Sequence, residues 1–153
     1  MMMRCSIASL RLLERLHYHL AVVVSGEAFL QKAEESLKGA ESEFVSGRYN
    51  NCANRCYYAV FQAAIFALGR AGILPPGRDA EWGHEFVRSN FVGQLINRRH
   101  LYPARLRAVL EQNRALRQTA DYKPDDATEI RAHRAIGRTH ELLAAVKEEH
   151  ARR

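Results

Sequence analysis

Apolar residues recur along most of the chain at the three- and four-residue spacings of amphipathic helices. The first clear stripe has spacings of 4, 4, 3 and 4 and consists of Phe29, Ala33, Leu37, Ala40 and Phe44. An α-helix turns once in 3.6 residues, so this spacing places all five side chains on one face. The pattern predicts a helix that begins at Ser25, which can cap it, and ends at Gly47.

A second helix is predicted from Tyr49–Asn51 to about Gly72, and it is apolar on almost every side. One stripe consists of Asn54, Tyr58, Phe61, Ile65 and Leu68. The other faces are also apolar and carry Cys56, Val60, Ala63, Ala64 and Ala67. A helix that is hydrophobic all round lies at the centre of a bundle. We therefore predict that this segment is the central helix.

Three further helices are predicted in the second half of the chain. A Pro-Gly-rich loop over residues 73–83 precedes a helix from His84 to Arg98. Pro103 suits the first turn of the next helix, and Pro124 disfavours helical geometry before it and ends that helix. The segment Asp126–Glu129 resembles a capping box, with its Asp as the cap of a long last helix. No alternating strand pattern is present, so the expected fold is all-α: an antiparallel up-and-down bundle of four to five helices.

The N-terminal 24 residues do not follow the strong pattern of the rest. They begin like a signal peptide, but Arg11, Glu14 and Arg15 interrupt the apolar stretch. The longest apolar run, Leu20–Val24, is too short to cross a membrane. This segment could form an extra helix or a frayed extension. We favour the extension, because the strong pattern of apolar residues begins only at Ser25. The expected domain covers residues 25–153, with residues 1–24 as an N-terminal extension of doubtful structure.

The cysteine content favours a reducing compartment, and we expect a cytoplasmic protein. Three Cys is an odd number in a chain without a convincing export signal. Cys52 and Cys56 lie four residues apart on the central helix with no second Cys pair nearby. We interpret them as small core residues, and we expect neither a metal site nor a cofactor.

Charge is distributed unevenly along the chain. The net charge is +6, with 19 Arg against four Lys. Residues 84–117 hold seven Arg against two Glu, whereas residues 27–43 hold five Glu against two Lys. Guanidinium groups suit contact with phosphates, although a solvated basic surface is the alternative. Two faces of opposite sign could also steer self-association, or direct RNA and a protein partner to different sides.

Three segments in order resemble the HEPN-domain family over about residues 26–150. They are "NRCYYAVFQAA" at 54–64, "GHEFVRSNF" at 83–91 and "RQTADY" at 117–122. The resemblance implies a small all-α bundle that forms a homodimer. It also implies a small nucleotidyltransferase as a partner encoded nearby, within a toxin–antitoxin pair. Active members of the family cut RNA without a metal.

The catalytic signature of active family members is Arg, four to six residues, then His. Chance alone predicts about 2.6 such pairs in this composition. The observed pairs are three: Arg11/His17, Arg78/His84 and Arg134/His140. Within one helix, a six-residue separation places Arg134 and His140 about 120° apart, which is poor geometry for joint action on one phosphate. This last pair is kept as the fallback catalytic pair.

The "RQTADY" segment lies where the signature of the family is expected, but Tyr122 stands in the position of the His. Tyrosine has an ordinary pKa of about 10 and is a poorer proton shuttle at neutral pH. The resemblance therefore implies the Ala-Asp-Tyr branch of the family, for which RNA cleavage is left open. The candidate catalytic residues are Arg117, Asp121 and Tyr122. The structural alternative is an i, i+4 ion pair at the helix end, with Tyr122 packed on the second helix.

Five further residues are candidates for binding RNA or a nucleotide. Asn54 and Tyr58 share a face of the central helix, and His84 begins the third helix; the others are Arg88 and Arg114. The leading hypothesis is a protein that binds RNA, a nucleotide or a nucleotidyltransferase, as one half of a toxin–antitoxin-like module. The alternatives are a metal-independent RNase toxin and a bundle that serves only for dimerisation.

Overall fold

The computed structural model describes residues 7–77 and 81–153, with side chains at Leu16 and from Gly26 onward. Over this part the chain forms helices and no strands. The five α-helices are α1 (Ile7–Val45), α2 (Tyr49–Arg70), α3 (His84–Asn90), α4 (Val109–Tyr122) and α5 (Glu129–Ala151). The third continues as a π-helix over Phe91–Arg98, and a 3₁₀ turn covers Ala104–Leu106. The predicted all-α bundle is confirmed. No helix of the described part combines the length and the apolar character that crossing a membrane requires.

The start of α1 differs from the prediction. The helix does not begin at Ser25 but runs through it without a break from Ile7. Residues 7–24 contain five Leu and lack Gly and Pro, so nothing in them ends a helix. The end of α1 is as predicted, because Gly47 has a φ of +73° and its N–H donates to Phe44 O at 2.9 Å. The domain boundary at residue 25 stays a prediction, and residues 1–6 lie outside the described part.

Helix α2 is the centre of the bundle, as predicted. Twelve of its 22 residues are buried, and it packs against α1, α3, α4 and α5. Cys52 and Cys56 are free thiols that are fully buried in it, which matches their interpretation as core residues. The predicted stripe of α1 packs on this core, with Ala33 and Ala40 fully buried and Leu37 nearly so. Because α2 is surrounded, any polar side chain on it needs a partner from a neighbouring helix.

The start of α4 and the cap of α5 differ from the predictions. Pro103 leads into the 3₁₀ turn, and α4 begins six residues later. The cap of α5 is Thr128, whose Oγ1 accepts from Arg131 N–H at 3.3 Å. Asp126 does not cap, because its carboxylate accepts from Asn50 Nδ2 at 2.8 Å. Asn50 Oδ1 accepts from Ala127 N–H at 2.8 Å, so α2 holds the loop between α4 and α5.

A fully buried amide sets the rotation of α4 against its neighbours. Asn113 Nδ2 donates to Thr139 Oγ1 at 3.0 Å, and its Oδ1 accepts from Arg138 Nε at 3.0 Å. An unpaired buried amide is costly, so rotations of α4 that break these bonds are disfavoured. Residues 116 and 117 lie one turn further along the same side of α4. The amide therefore also turns Arg117 towards α2.

The acidic segment of α1 is largely paired within the chain. Glu27, Glu34 and Glu41 contact His150, Lys147 and His140 of α5 at 3.5, 2.6 and 2.6 Å. The reversed order of the partners shows that α1 and α5 run antiparallel. Three of the five carboxylates of this acidic segment, which could have steered an association, are thus engaged with α5.

Candidate functional site

Polar and aromatic side chains of α2, α3 and α4 meet in one group, which we name the Arg117 cluster. The residues of α4 lie in its last three turns, those of α2 in its first half, and α3 contributes its first residue. The members in contact are Asn54, Tyr57, Tyr58, His84, Arg117 and Asp121, and Arg114 is included because its charge acts on Tyr57 and His84.

The Arg117 guanidinium lies over two tyrosine rings of α2. Its central carbon is 5.1 Å from the ring centroid of Tyr57 and 4.9 Å from that of Tyr58. Its Nε donates to Asp121 Oδ2 at 3.3 Å, and the side chain is only 19% exposed. Within residues 26–77 and 81–153, its two terminal nitrogens make no hydrogen bond. Stacking and the ion pair therefore fix the orientation of the guanidinium. Its two terminal nitrogens, the outer fork, remain available to an anion.

Asp121 binds Arg117 on its own helix with one carboxylate oxygen and Asn54 of α2 with the other. One oxygen accepts from Arg117, and Oδ1 accepts from Asn54 Nδ2 at 2.8 Å. The Asp121 side chain is 24% exposed. Asn54 Oδ1 is buried, and the described part of the chain offers it no partner. The ion pair expected from the structural alternative is present, and it also orients the guanidinium.

His84 is held in the cluster by the buried Tyr57. The Tyr57 hydroxyl forms a hydrogen bond with His84 Nδ1, and the imidazole packs on Phe61 with ring centroids 4.7 Å apart. Burial of the ring lowers the pKa of His84, and the positive charges of Arg114 and Arg117 lower it further. Burial raises the pKa of Tyr57 to about 12. At neutral pH the imidazole is therefore uncharged and the phenol keeps its proton.

Not every predicted site residue belongs to the Arg117 cluster. Tyr122 is 77% exposed, and within residues 26–77 and 81–153 its side chain makes no hydrogen bond and stacks on no other side chain. Arg88 lies between α3 and α4, paired with Glu85 at 2.8 Å and Glu111 at 3.8 Å. The predicted members that do meet are Asn54, Tyr58, His84, Arg117 and Asp121, and Arg114 lies near enough for its charge to lower the pKa of His84.

The alternative Arg/His pairs lie elsewhere. His140 is on α5 and contacts Glu41, while Arg134 is exposed on the same helix. Arg78 and the side chains of the N-terminal pair lie outside the described residues. Within the described part, no group of three or more His, Cys, Asp or Glu side chains could hold a metal ion.

Sequence reasoning missed Tyr57 as a member of the site. Only Tyr58 falls on the predicted stripe, and Tyr57 is buried beside it. A signal was present, because Tyr57 and Phe61 are four residues apart and stack on α2 at 5.8 Å. Two adjacent tyrosines followed by this pair offer an aromatic surface wide enough for a guanidinium and an imidazole.

Comparison with known proteins gives one family and one curated relative. The HEPN domain matches residues 26–149 of this chain. Over 113 residues the chain is 27% identical to a Methanocaldococcus jannaschii protein named "Putative toxin MJ0605". That match covers 72% of this chain and 77% of the relative.

The electrostatics of the cluster predict how His84 titrates. By NMR, its imidazole should titrate below the ordinary value of 6.5, and Arg114→Ala should move the midpoint upward because one positive charge is lost. Arg70→Ala, an exposed Arg at the other end of α2, should leave it unchanged. Since the unfolded chain binds this proton more tightly, folding stability should fall as the pH drops from 6.5 through the folded pKa. A midpoint at or above 6.5 would contradict the arrangement.

Proposed function

This chain belongs to the HEPN domain family, and we propose that it is a toxin-type member that binds RNA at the Arg117 cluster. The family match and the toxin name of the Methanocaldococcus relative support the toxin part of the proposal. The observation that carries the RNA part is the fixed guanidinium of Arg117, whose outer fork faces no partner within the described residues. Such a group binds phosphate oxygens in a bidentate way without first having to be ordered.

The surroundings of Arg117 support a polymer of phosphates over a single nucleotide. Arg114 lies one turn before it on α4, and the segment 84–117 carries a surplus of positive charge. Tyr58 is 39% exposed beside the guanidinium, so it can also offer part of its ring to a base. Positive charge that follows a backbone, together with aromatic rings, is the usual basis of single-strand binding.

RNA affinity tests this function directly. Fluorescence anisotropy with a labelled single-stranded RNA should show binding that weakens with salt, since phosphate contacts release counterions. Arg117→Ala should weaken binding by about tenfold and lower the salt slope by about one phosphate contact. Arg117→Lys should restore only part of the affinity, because a point charge replaces the fork.

The matched control is Arg70→Ala, which removes the same charge. Residue 70 lies 16 positions along α2 from Asn54, a distance of about 24 Å. It should leave affinity nearly unchanged. Equal losses in the two Ala variants would mean that net charge alone binds RNA, and no binding by the wild type would refute the function.

A protein partner is the second part of the proposal, as a homodimer and with a nucleotidyltransferase. It is supported by exposed apolar side chains at one end of the bundle, next to the Arg117 cluster. These are Val45 at the end of α1, Tyr122 at the end of α4 and Ile130 at the start of α5. Apolar groups gathered at one end mark an interaction surface more often than scattered ones do.

Light scattering after size exclusion tests the homodimer. The chain alone should have twice its 17.4 kDa mass, and Ile130→Asp should shift it towards the monomer. Leu16→Asp is the control, because this exposed residue lies far along α1 from Val45. A monomer at all concentrations would reject the dimer. Failure of a nucleotidyltransferase encoded beside this chain to copurify with it would reject that partner.

A further inference from the structure

We propose that the first half of α5 is a second phosphate-binding surface, which takes the RNA strand after it leaves the Arg117 cluster and crosses α4. We name this surface the α5 arginine stripe, and it consists of Arg131, Arg134 and Arg138. The inference rests on the proposed function, since it needs RNA to bind at the Arg117 cluster. It adds a path for the strand and a minimum length for RNA that binds tightly.

The three side chains of the stripe share the side of α5 that faces α4. Their spacings are three and four residues, so at about 100° per residue they lie within about 60° of one another. Arg138 identifies the facing helix, because its Nε donates to Asn113 Oδ1 of α4 at 3.0 Å. The stripe therefore borders the groove between α4 and α5.

The stripe lies at the same level of the bundle as the Arg117 cluster. Asn113 of α4 is bonded to Arg138 of α5. Leu116, later on α4, belongs to the same apolar cluster as Ala135, earlier on α5, so the two helices run antiparallel. Arg117 directly follows Leu116 and turns towards α2 instead of α5. The Arg117 cluster and the stripe thus lie beside each other on either side of α4.

The facing segments of α4 and α5 carry positive charge without a compensating carboxylate. Residues 112–120 and 131–140 together contain five Arg and no Asp or Glu. The outward side of α4 offers Gln112, Ala115 and Gln118, which are exposed and uncharged. Because a helix with its side chains is about 10–12 Å wide, a strand of a few nucleotides can cross α4 between the two sites.

Arg138 is held in place without a carboxylate partner. Its side chain is partly buried, and its Nε is bound to the amide oxygen of the fully buried Asn113. Burial lowers the pKa of Arg138, and the positive charge of Arg134 lowers it further, yet a guanidinium stays charged at neutral pH. Within residues 26–77 and 81–153, its two terminal nitrogens make no hydrogen bond. An oriented, partly buried charge of this kind is stabilised by an anion.

The arginines at the other end of α5 are neutralised within the chain. Arg152 and Arg153 pair with Glu148 and Glu149, at 2.5 and 2.8 Å. The three stripe residues, by contrast, form no salt bridge within the described part of the chain. Positive charge on α5 is thus left open beside the Arg117 cluster, where a charged path across α4 can follow a nucleic acid backbone. This continuity favours RNA over an acidic protein as the occupant of the stripe.

The test compares a long and a short RNA on the full-length chain. Both carry 2′-O-methyl groups, which prevent cleavage through the 2′ oxygen. The long RNA has about twelve nucleotides, a length that single-strand sites cover, and the short one is a dinucleotide with one internal phosphate. The stripe variant combines Arg134→Ala with Arg138→Gln. Glutamine places its Nε2 where the Arg Nε stood, so the bond to Asn113 can be kept while the charge is lost.

The stripe variant should lose affinity for the long RNA alone. We expect fluorescence anisotropy to show binding that is about tenfold weaker or more, with a salt slope lowered by about two phosphate contacts. Binding of the dinucleotide, followed by the NMR shift of Arg117 Nε, should be unchanged. If the stripe variant loses helical circular dichroism, Arg134→Ala alone answers the question, since this residue is exposed. It should lower the salt slope by about one.

The matched control removes two positive charges at the far end of the bundle. It combines Arg70→Ala with Arg153→Ala, whose side chains line one shallow pocket there. Affinity for the long RNA should stay nearly unchanged, and equal losses in the control and stripe variants would overturn the inference.

The contrary results separate the inference from the proposed function. Unchanged affinity of the stripe variant for the long RNA would overturn the inference and leave the stripe to an acidic protein or to solvent. Weaker binding of the dinucleotide by this variant would also overturn it, because the stripe would then be part of the first site. Failure of the wild type to bind the long RNA would instead refute the proposed function.

Discussion

The placement of Arg117 across two tyrosine rings is the interaction on which the rest of the site depends. A guanidinium that is four-fifths buried needs partners, and it has Tyr57, Tyr58 and Asp121. Asp121 in turn binds Asn54, so the last turn of α4 is tied to the first half of α2. This arrangement stabilises the packing of two helices and presents a positive charge in one orientation. The structural and the functional interpretation of "RQTADY" therefore describe the same contacts.

Burial of α2 connects the fold to the chemistry of the site. Because α2 is packed on nearly all sides, the hydroxyl of Tyr57 must find its partner on another helix, and it finds His84. The buried Asn113 fixes the rotation of α4, which brings Arg117 to the same place. His84 and Arg117 lie on different helices. They are brought together because the buried hydroxyl of Tyr57 and the buried amide of Asn113 both require hydrogen-bond partners.

The pattern of apolar residues was enough to predict the bundle and the central place of α2, whereas Arg117 and Asp121 were singled out through the family resemblance. Helix propensity carries α1 back past Ser25 to Ile7, where no stop signal intervenes. The cap of α5 depended on a contact that local sequence does not contain, since Asn50 takes the carboxylate of Asp126 from 76 residues away. The bond between Tyr57 and His84 likewise joins residues 27 positions apart, across the loop between α2 and α3. Predictions from local sequence fail at positions where a contact with a distant residue selects one of several locally possible structures.

The most direct test of this account is to locate RNA on the protein by NMR. A short 2′-O-methyl RNA is titrated into chain labelled at the side-chain nitrogens of arginine and histidine. We expect the resonances of Arg117 Nε and His84 Nε2 to shift first and together, while that of Arg70 stays in place. Shifts confined to Arg134 and His140, with Arg117 unmoved, would contradict the account.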